Sequence, residues 1–159
     1  MPVQTREYTA VKKLKPSRDV FGIRMAQISA INYLEGNMTA EQLKSSFANL
    51  TSIASLAYTI FGKSNPTGIA LGLIAFLASA PSKSHKQQMI DAIRWGNEAI
   101  QNLEKGLYDR GQYDATVDVE LAFLEAKDYH TYEHYFTGVT GVGAISAYYD
   151  GNGNKIPNP

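Results

Sequence analysis

Two histidines and a glutamate near the C-terminus have a spacing that could support zinc chemistry. The segment DYHTYEH holds His130, Glu133 and His134 in the order H-x-x-E-H. On a helix the two histidines would share one face and bind zinc, and Glu133 would act as the base that activates water. On a strand they would also share a face, but as polar members of an aromatic surface. His130 and His134 are therefore the candidate metal ligands.

This order of residues is similar to the zinc motif of the inverted zinc peptidases. Those enzymes need a third protein ligand from a distant acidic helix, which Glu98, Glu104 or Asp128 would have to supply here. A small zinc hydrolase is one alternative function. The main expectation is a protein that is not an enzyme and holds no cofactor.

Other kinds of catalytic chemistry have little basis in this chain. It contains no cysteine, which excludes disulfides, thiolate zinc sites and cysteine nucleophiles. The glycines of TGVTGVGA lack the lysine and the following helix of a phosphate-binding loop. No Ser/His/Asp arrangement stands out.

Helix signals extend over residues 17–105. Ser17 can cap a first helix, and Thr39 opens a capping box that predicts a second helix as far as residue 62. Asn65 and Pro66 begin a third, and Ser84 opens another capping box before a long fourth helix. The short loops between them favour antiparallel packing.

After residue 113 the pattern changes to strand periodicity. Val117, Val119, Leu121 and Phe123 alternate with more polar residues, and Asp-Gly-Asn-Gly at 150–153 is a turn signal. Residues 121–136 could instead form a helix. The predicted fold is α+β: an N-terminal antiparallel bundle of about four helices with a central apolar hairpin, then a small C-terminal antiparallel β-sheet or hairpin. The predicted units are a basic arm (1–16), the bundle (17–107) and a tyrosine-rich acidic β subdomain (108–159) that packs with the bundle as one compact domain.

The central hairpin, residues 53–80, carries Lys63 as its sole charge. Its limbs would reach only about 20–22 Å as helices, against a hydrocarbon core of about 30 Å. The hairpin is therefore either a protein core or a concealed membrane element. Its candidate residues are Ile53, Leu56, Ile60, Phe61, Gly68, Leu71, Gly72, Ile74, Phe76 and Leu77.

Over residues 17–105 this architecture resembles that of pore-forming bacterial toxins, in which amphipathic helices wrap a central hydrophobic hairpin. The resemblance implies a non-enzymatic, membrane-active protein of bacteriocin-like or pore-forming type. The sequence leaves the compartment open, and a secreted bacterial protein is favoured over a cytoplasmic one. The alternative is a phage or bacterial accessory protein that binds a protein partner or self-assembles. In that case the hairpin is only core.

Charge is divided between the two parts of the chain, with a net +5 over residues 1–105 and −5 over residues 106–159. Either the two parts attract each other within one fold, or the basic arm faces anionic lipid. Nucleic acid is not an expected partner. The cations of the arm are Arg6, Lys12, Lys13, Lys15 and Arg18.

Tyrosines are concentrated in the C-terminal third, which holds seven of the ten. Tyrosine gives rigid contact area and a hydroxyl group, so this concentration is typical of recognition surfaces as well as of ordinary sheet faces. A homo-oligomer or a captured protein is the partner that it favours. The candidate interface residues are Tyr129, Tyr132, Tyr135, Tyr148 and Tyr149.

Overall fold

The computed structural model describes residues 3–157. Residues 1–2 of the predicted arm and 158–159 of the predicted β subdomain lie outside that part of the chain. A 3-10 helix, Thr51–Ile53, lies between the second and third α-helices. In chain order the other elements are β1 (Val3–Leu14), α1 (Pro16–Leu34), α2 (Ala40–Ala48), α3 (Pro66–Ala78), α4 (Lys83–Asp109), β2 (Thr116–Asp128), β3 (His134–Tyr149) and β4 (Lys155–Ile156).

The α+β class is confirmed, but the predicted order of elements is wrong. The chain begins with a strand of the sheet, not with the helical bundle. β1 pairs with β2, a partner that lies more than 100 residues along the chain. Only Val3 and Leu14, at its two ends, are fully buried. The residues between them are exposed or half-exposed and include several charged side chains. This composition is the same as that of a solvated arm, which explains why the sequence predicts an arm here.

The four strands form one antiparallel sheet in the order β1-β2-β3-β4. β1 and β2 pair without a bulge, from Val3 opposite Asp128 to Leu14 opposite Val117. The pairing of β2 with β3 shifts register at four places. Bulges bend a strand and increase its twist, so β3 curves along its length while β1 stays regular.

The buried face of β2 changes halfway along the strand. Val117, Val119, Leu121 and Phe123 are buried on one face, as the alternation predicts, and Leu124 and Ala126 are buried on the other. Successive side chains of a strand point to opposite faces. Both faces of β2 are therefore used as core, each at its own end.

The path of α4 accounts for this change of face, because the helix crosses β3 near the midpoint of that strand. A side chain at Gly138 would meet Ile93 of α4. Further along β3, Val142 and Ile145 line a groove with Leu103 of α4. Gly138 lies opposite Leu124, and Val142 lies opposite Leu121. The helix thus contacts opposite faces of the sheet on the two sides of the crossing.

Two predicted helix starts are correct in detail. Thr39 and Gln42 form the reciprocal capping box, and the Asn65 side chain accepts a hydrogen bond from Gly68 N. The fourth helix is capped by Ser82, which accepts from His85 N, and not by Ser84. An N-cap residue itself has extended backbone while its side chain accepts from the first turn, and Ser82 meets this condition with φ −60° and ψ 155°.

Two other helix predictions are wrong. The second helix ends at Ala48 instead of residue 62, and residues 51–61 form 3-10 and turn structure. The segment NLTS at 49–52 favours this break, since Asn, Thr and Ser side chains compete for backbone hydrogen bonds. The first helix starts at Pro16, where the Asp19 carboxylate accepts from Lys15 N at 2.8 Å, so Ser17 is not its cap.

Candidate interaction surface

The H-x-x-E-H segment does not form the helix that its zinc chemistry requires. His130 is exposed in a turn, where its backbone N–H donates to Asp128 Oδ1, and His134 is the first residue of β3. No group of three or more metal-ligating side chains comes together within residues 3–157. The arrangement gives the zinc prediction no geometric support, and Glu133 lies on an exposed link between the two histidines.

His134 instead fastens the hairpin to the sheet. Lys63 Nζ donates to the His134 carbonyl oxygen at 2.6 Å, and a side chain at Gly62 would meet the His134 ring. His134 Nε2 lies 2.6 Å from Thr137 Oγ1. The hairpin turn and the histidine motif, which the sequence presents as separate candidate sites, therefore contact each other.

Burial lowers the pKa of both titratable groups of this contact. Burial lowers the pKa of His134 to about 4, and the neighbouring Lys63 contributes in the same direction. Burial also lowers the pKa of Lys63, although Glu133 opposes that shift. A neutral imidazole beside the ammonium avoids a repulsive pair of cations at neutral pH. The contact is thus structural in character.

The hairpin lies mainly in the core. Among its candidate residues Ile53, Leu56, Ile60, Phe61, Gly72 and Phe76 are buried, Gly68, Ile74 and Leu77 are partly buried, and Leu71 is 51% exposed. The Phe61 and Phe136 rings pack at 6.1 Å, and so do those of Phe76 and Tyr135. No helix within residues 3–157 combines the length and apolar character needed to cross a membrane.

The outward surface of residues 51–80 carries no exposed charge, because the ammonium of Lys63 points inward. Tyr58 is 78% exposed, and Leu71 lies on the exposed side of α3. We refer to this surface as the neutral face. It is the one observation that favours contact with lipid.

The basic residues of the predicted arm are largely paired. Arg6 lies 3.5 Å from Glu125 and Lys13 lies 3.9 Å from Asp118, so β1 and β2 attract each other across the sheet. Arg18 binds the buried Asp19 carboxylate at 2.7 Å. The remaining two serve differently: Lys12 lies over the Phe123 ring, and Lys15 lines a polar pocket with Lys13 and Arg18.

The five candidate tyrosines do not form one surface. Tyr129 and Tyr132 are exposed in the turn before β3, while Tyr135 and Tyr148 are buried. The Tyr135 hydroxyl donates to Asp128, and burial together with that carboxylate raises the pKa of Tyr135. Tyr149 donates to Asp118 at 2.6 Å. Most of these side chains therefore hold the sheet together.

The β3 edge of the sheet is covered by the helices. Gln27 of α1 is fully buried, and its side chain accepts from Val139 N at 2.6 Å and donates to Val139 O at 3.1 Å. It makes the two hydrogen bonds that a neighbouring strand would make. Gly96 of α4 approaches the Val139 carbonyl so closely that a side chain there would overlap it. Native proteins commonly protect sheet edges in this way.

The β1 edge is open. Within residues 3–157, β1 pairs only with β2, and its side-chain hydrogen bond to a helix is a long one, from Thr5 Oγ1 to Gln88 of α4 at 3.5 Å. On one face of β1 the alternate residues Glu7, Thr9, Val11 and Lys13 are exposed, with Val11 56% exposed. An unpaired row of backbone N–H and C=O groups is a template for another strand. The outer edge of β1 is therefore the candidate interaction surface.

The charge of residues 1–16 predicts a basic arm, and a strand edge at this position is therefore not expected from the sequence. The available signal was a run of thirteen residues without Gly or Pro, residues 3–15, that contains the β-branched residues Thr9 and Val11. Comparison with protein-family models, with curated proteins and with solved structures finds no match to this chain.

Proposed function

We propose that this protein is a non-enzymatic assembly module that acts by contact through the outer edge of β1. The observation that carries the proposal is the contrast between the two edges of the sheet. Gln27 and α4 cover the β3 edge, whereas β1, a strand of twelve residues, has no strand on its outer side within residues 3–157. An edge of that length and regularity supports pairing with another strand.

Burial of the hairpin supports the same function. Ile53, Phe61 and Phe76 have no exposed surface, and they pack against β3 and the helices around it. Taking such side chains out of the core would cost about 1.5–3 kcal/mol for each of them. We therefore assign the hairpin the role of a permanent core and place the working surface on the sheet.

Sedimentation velocity across a concentration series tests the proposal. We expect the weight-average mass to rise above the 17.5 kDa monomer between about 1 and about 200 µM, the range suited to an association of µM affinity. Hydrogen exchange on the same samples should show new protection within β1. A monomer at every concentration, with unchanged exchange in β1, would overturn the proposal.

A second candidate function is docking on lipid through the neutral face, with the hairpin as a concealed membrane element. Its specific support is the absence of exposed charge over residues 51–80 and the exposure of Leu71 and Tyr58. If the hairpin leaves the core on a membrane, residues 68–80 must lose amide protection when anionic liposomes are added. Retained protection is the result that this candidate does not allow.

A further inference from the structure

We infer that the partner of the β1 edge is a second copy of this chain, and that the two β1 strands pair antiparallel about a two-fold axis at Ala10. This inference rests on the proposed function and specifies its partner and register. It would join two four-stranded sheets into one continuous sheet of eight strands.

The geometry of antiparallel pairing limits the registers available to a two-fold dimer. Opposing residues in such a pair either both point their backbone N–H and C=O at the partner strand or both point them away. In a regular strand this alternates from one residue to the next. The two opposing residues must therefore have numbers of equal parity, and the axis must pass through a residue.

Charge supports a register centred on Ala10 and disfavours registers centred on Thr9 or Lys12. With the axis at Ala10, Glu7 lies directly opposite the partner's Lys13, and the symmetry repeats that ion pair on the other side of the axis. With the axis at Thr9, Arg6 would face the partner's Lys12, a pair of like charges. Opposite charges directly across two strands are stabilising and like charges are destabilising.

The local environment of Glu7 and Lys13 suits this role. Glu7 is exposed and forms no ion pair with any residue of the described chain. Lys13 is 58% exposed, and its contact with Asp118 is long, at 3.9 Å. The Lys13 ammonium also lies 3.6 Å from the centroid of the Tyr149 ring. Glu7 can therefore meet a partner strand as it stands, whereas Lys13 must turn from Asp118 and Tyr149 toward the partner's Glu7.

The other side chains of the paired strands are also complementary, both on the face that carries the ion pairs and on the opposite face. On the same face, Thr9 lies opposite the partner's Val11, a pair of β-branched residues that pack well across strands. On the other face, Tyr8 lies opposite the partner's Lys12, a cation and an aromatic ring. Ala10 at the axis has a small side chain, which allows the two strands to approach. An axis at Val11 would instead place Glu7 opposite the partner's Lys15, which lies beyond the end of β1. An axis at Tyr8 would place no opposite charges across the strands. The Ala10 register is thus the one that forms its ion pair within the strand.

A charge swap and a cross-link test the register. Glu7→Lys should weaken dimerisation on the order of tenfold or more, because it creates two like-charge pairs, and Glu7→Lys combined with Lys13→Glu should restore it to within about threefold. Glu98→Lys, the same charge change on the exposed side of α4, should leave dimerisation unchanged. Circular dichroism on each variant should show the folded sheet.

The cross-link uses the absence of cysteine from the chain. Ala10→Cys should form a disulfide-linked dimer under mild oxidation, since residues directly opposite in antiparallel strands lie within disulfide reach. Val11→Cys, at a more exposed position, should link much more slowly. A dimer that is insensitive to Glu7→Lys, or that links faster through Val11→Cys, overturns the register and leaves the proposed function standing. A monomer at all concentrations overturns both.

Discussion

Gly96→Ala should destabilise the protein by about 3 kcal/mol, at the upper end of the cost of overpacking a core. Gly96 lies where α4 crosses β3, and an added methyl group would overlap the Val139 carbonyl and crowd Thr140. Both obstacles are backbone atoms of a strand, so neither can move aside as a flexible side chain would. Thermal unfolding followed by circular dichroism should show a melting temperature lower by roughly 6–12 °C.

Gly106→Ala is the matched control for that prediction. It lies on the same helix, and the nearest atom to an added side chain is Arg110 Nη1 at 3.9 Å. The change should be neutral or should stabilise the protein by up to about 1 kcal/mol, through helix propensity. Equal melting temperatures for the two variants would show that α4 and β3 are not in close backbone contact.

Gln27→Met should cost about 3 kcal/mol, because it leaves two buried backbone groups without partners. Methionine keeps the length and much of the volume of glutamine, but it can neither accept from Val139 N nor donate to Val139 O. Urea denaturation measures the effect as a change in the free energy of unfolding. The loss should appear in the midpoint with little change in the slope.

Gln101→Met serves as the control for this second prediction. Gln101 is exposed on α4, so replacing it should change the free energy of unfolding by no more than about 0.5 kcal/mol. A Gln27→Met variant as stable as the wild type would mean that Gln27 does not cover the β3 edge. The contrast between a covered edge and an open edge would then lose its basis.

Local signals predicted the parts of this fold that depend on near neighbours. The Thr39 capping box and the Asn65 cap involve residues three positions apart, and a cap of this kind can be read from the residues themselves. The alternation in β2 was also visible, since its buried residues recur at every second position as far as Phe123. Such patterns need no knowledge of distant parts of the chain.

The features that the sequence did not predict depend on contacts between residues far apart in the chain. β1 becomes a strand because β2, more than 100 residues away, supplies its hydrogen bonds and pairs Arg6 with Glu125. The contact between Lys63 and His134 joins the hairpin turn to β3, and neither residue signals the other in the sequence. The switch of the buried face at Leu124 follows from the crossing of α4 at Gly96. Each of these features results from tertiary contacts, so local sequence propensity could not predict it.

The open edge itself illustrates the same limit. Its composition, with Arg6, Glu7, Lys12 and Lys13, favours a solvated segment on local grounds. Only when β1 is known to be a regular strand do these charges acquire positions on defined faces. The self-complementary spacing of Glu7 and Lys13 then becomes meaningful.

The central claim is that the hairpin remains core while the protein works through the sheet. Hydrogen exchange over residues 68–80, with and without anionic liposomes, tests it most directly, because this limb must leave the core in any membrane-inserted form. Our account predicts strong protection in water that is unchanged when liposomes are added at neutral pH. Loss of protection over residues 68–80 on adding liposomes would contradict it and would favour membrane activity instead.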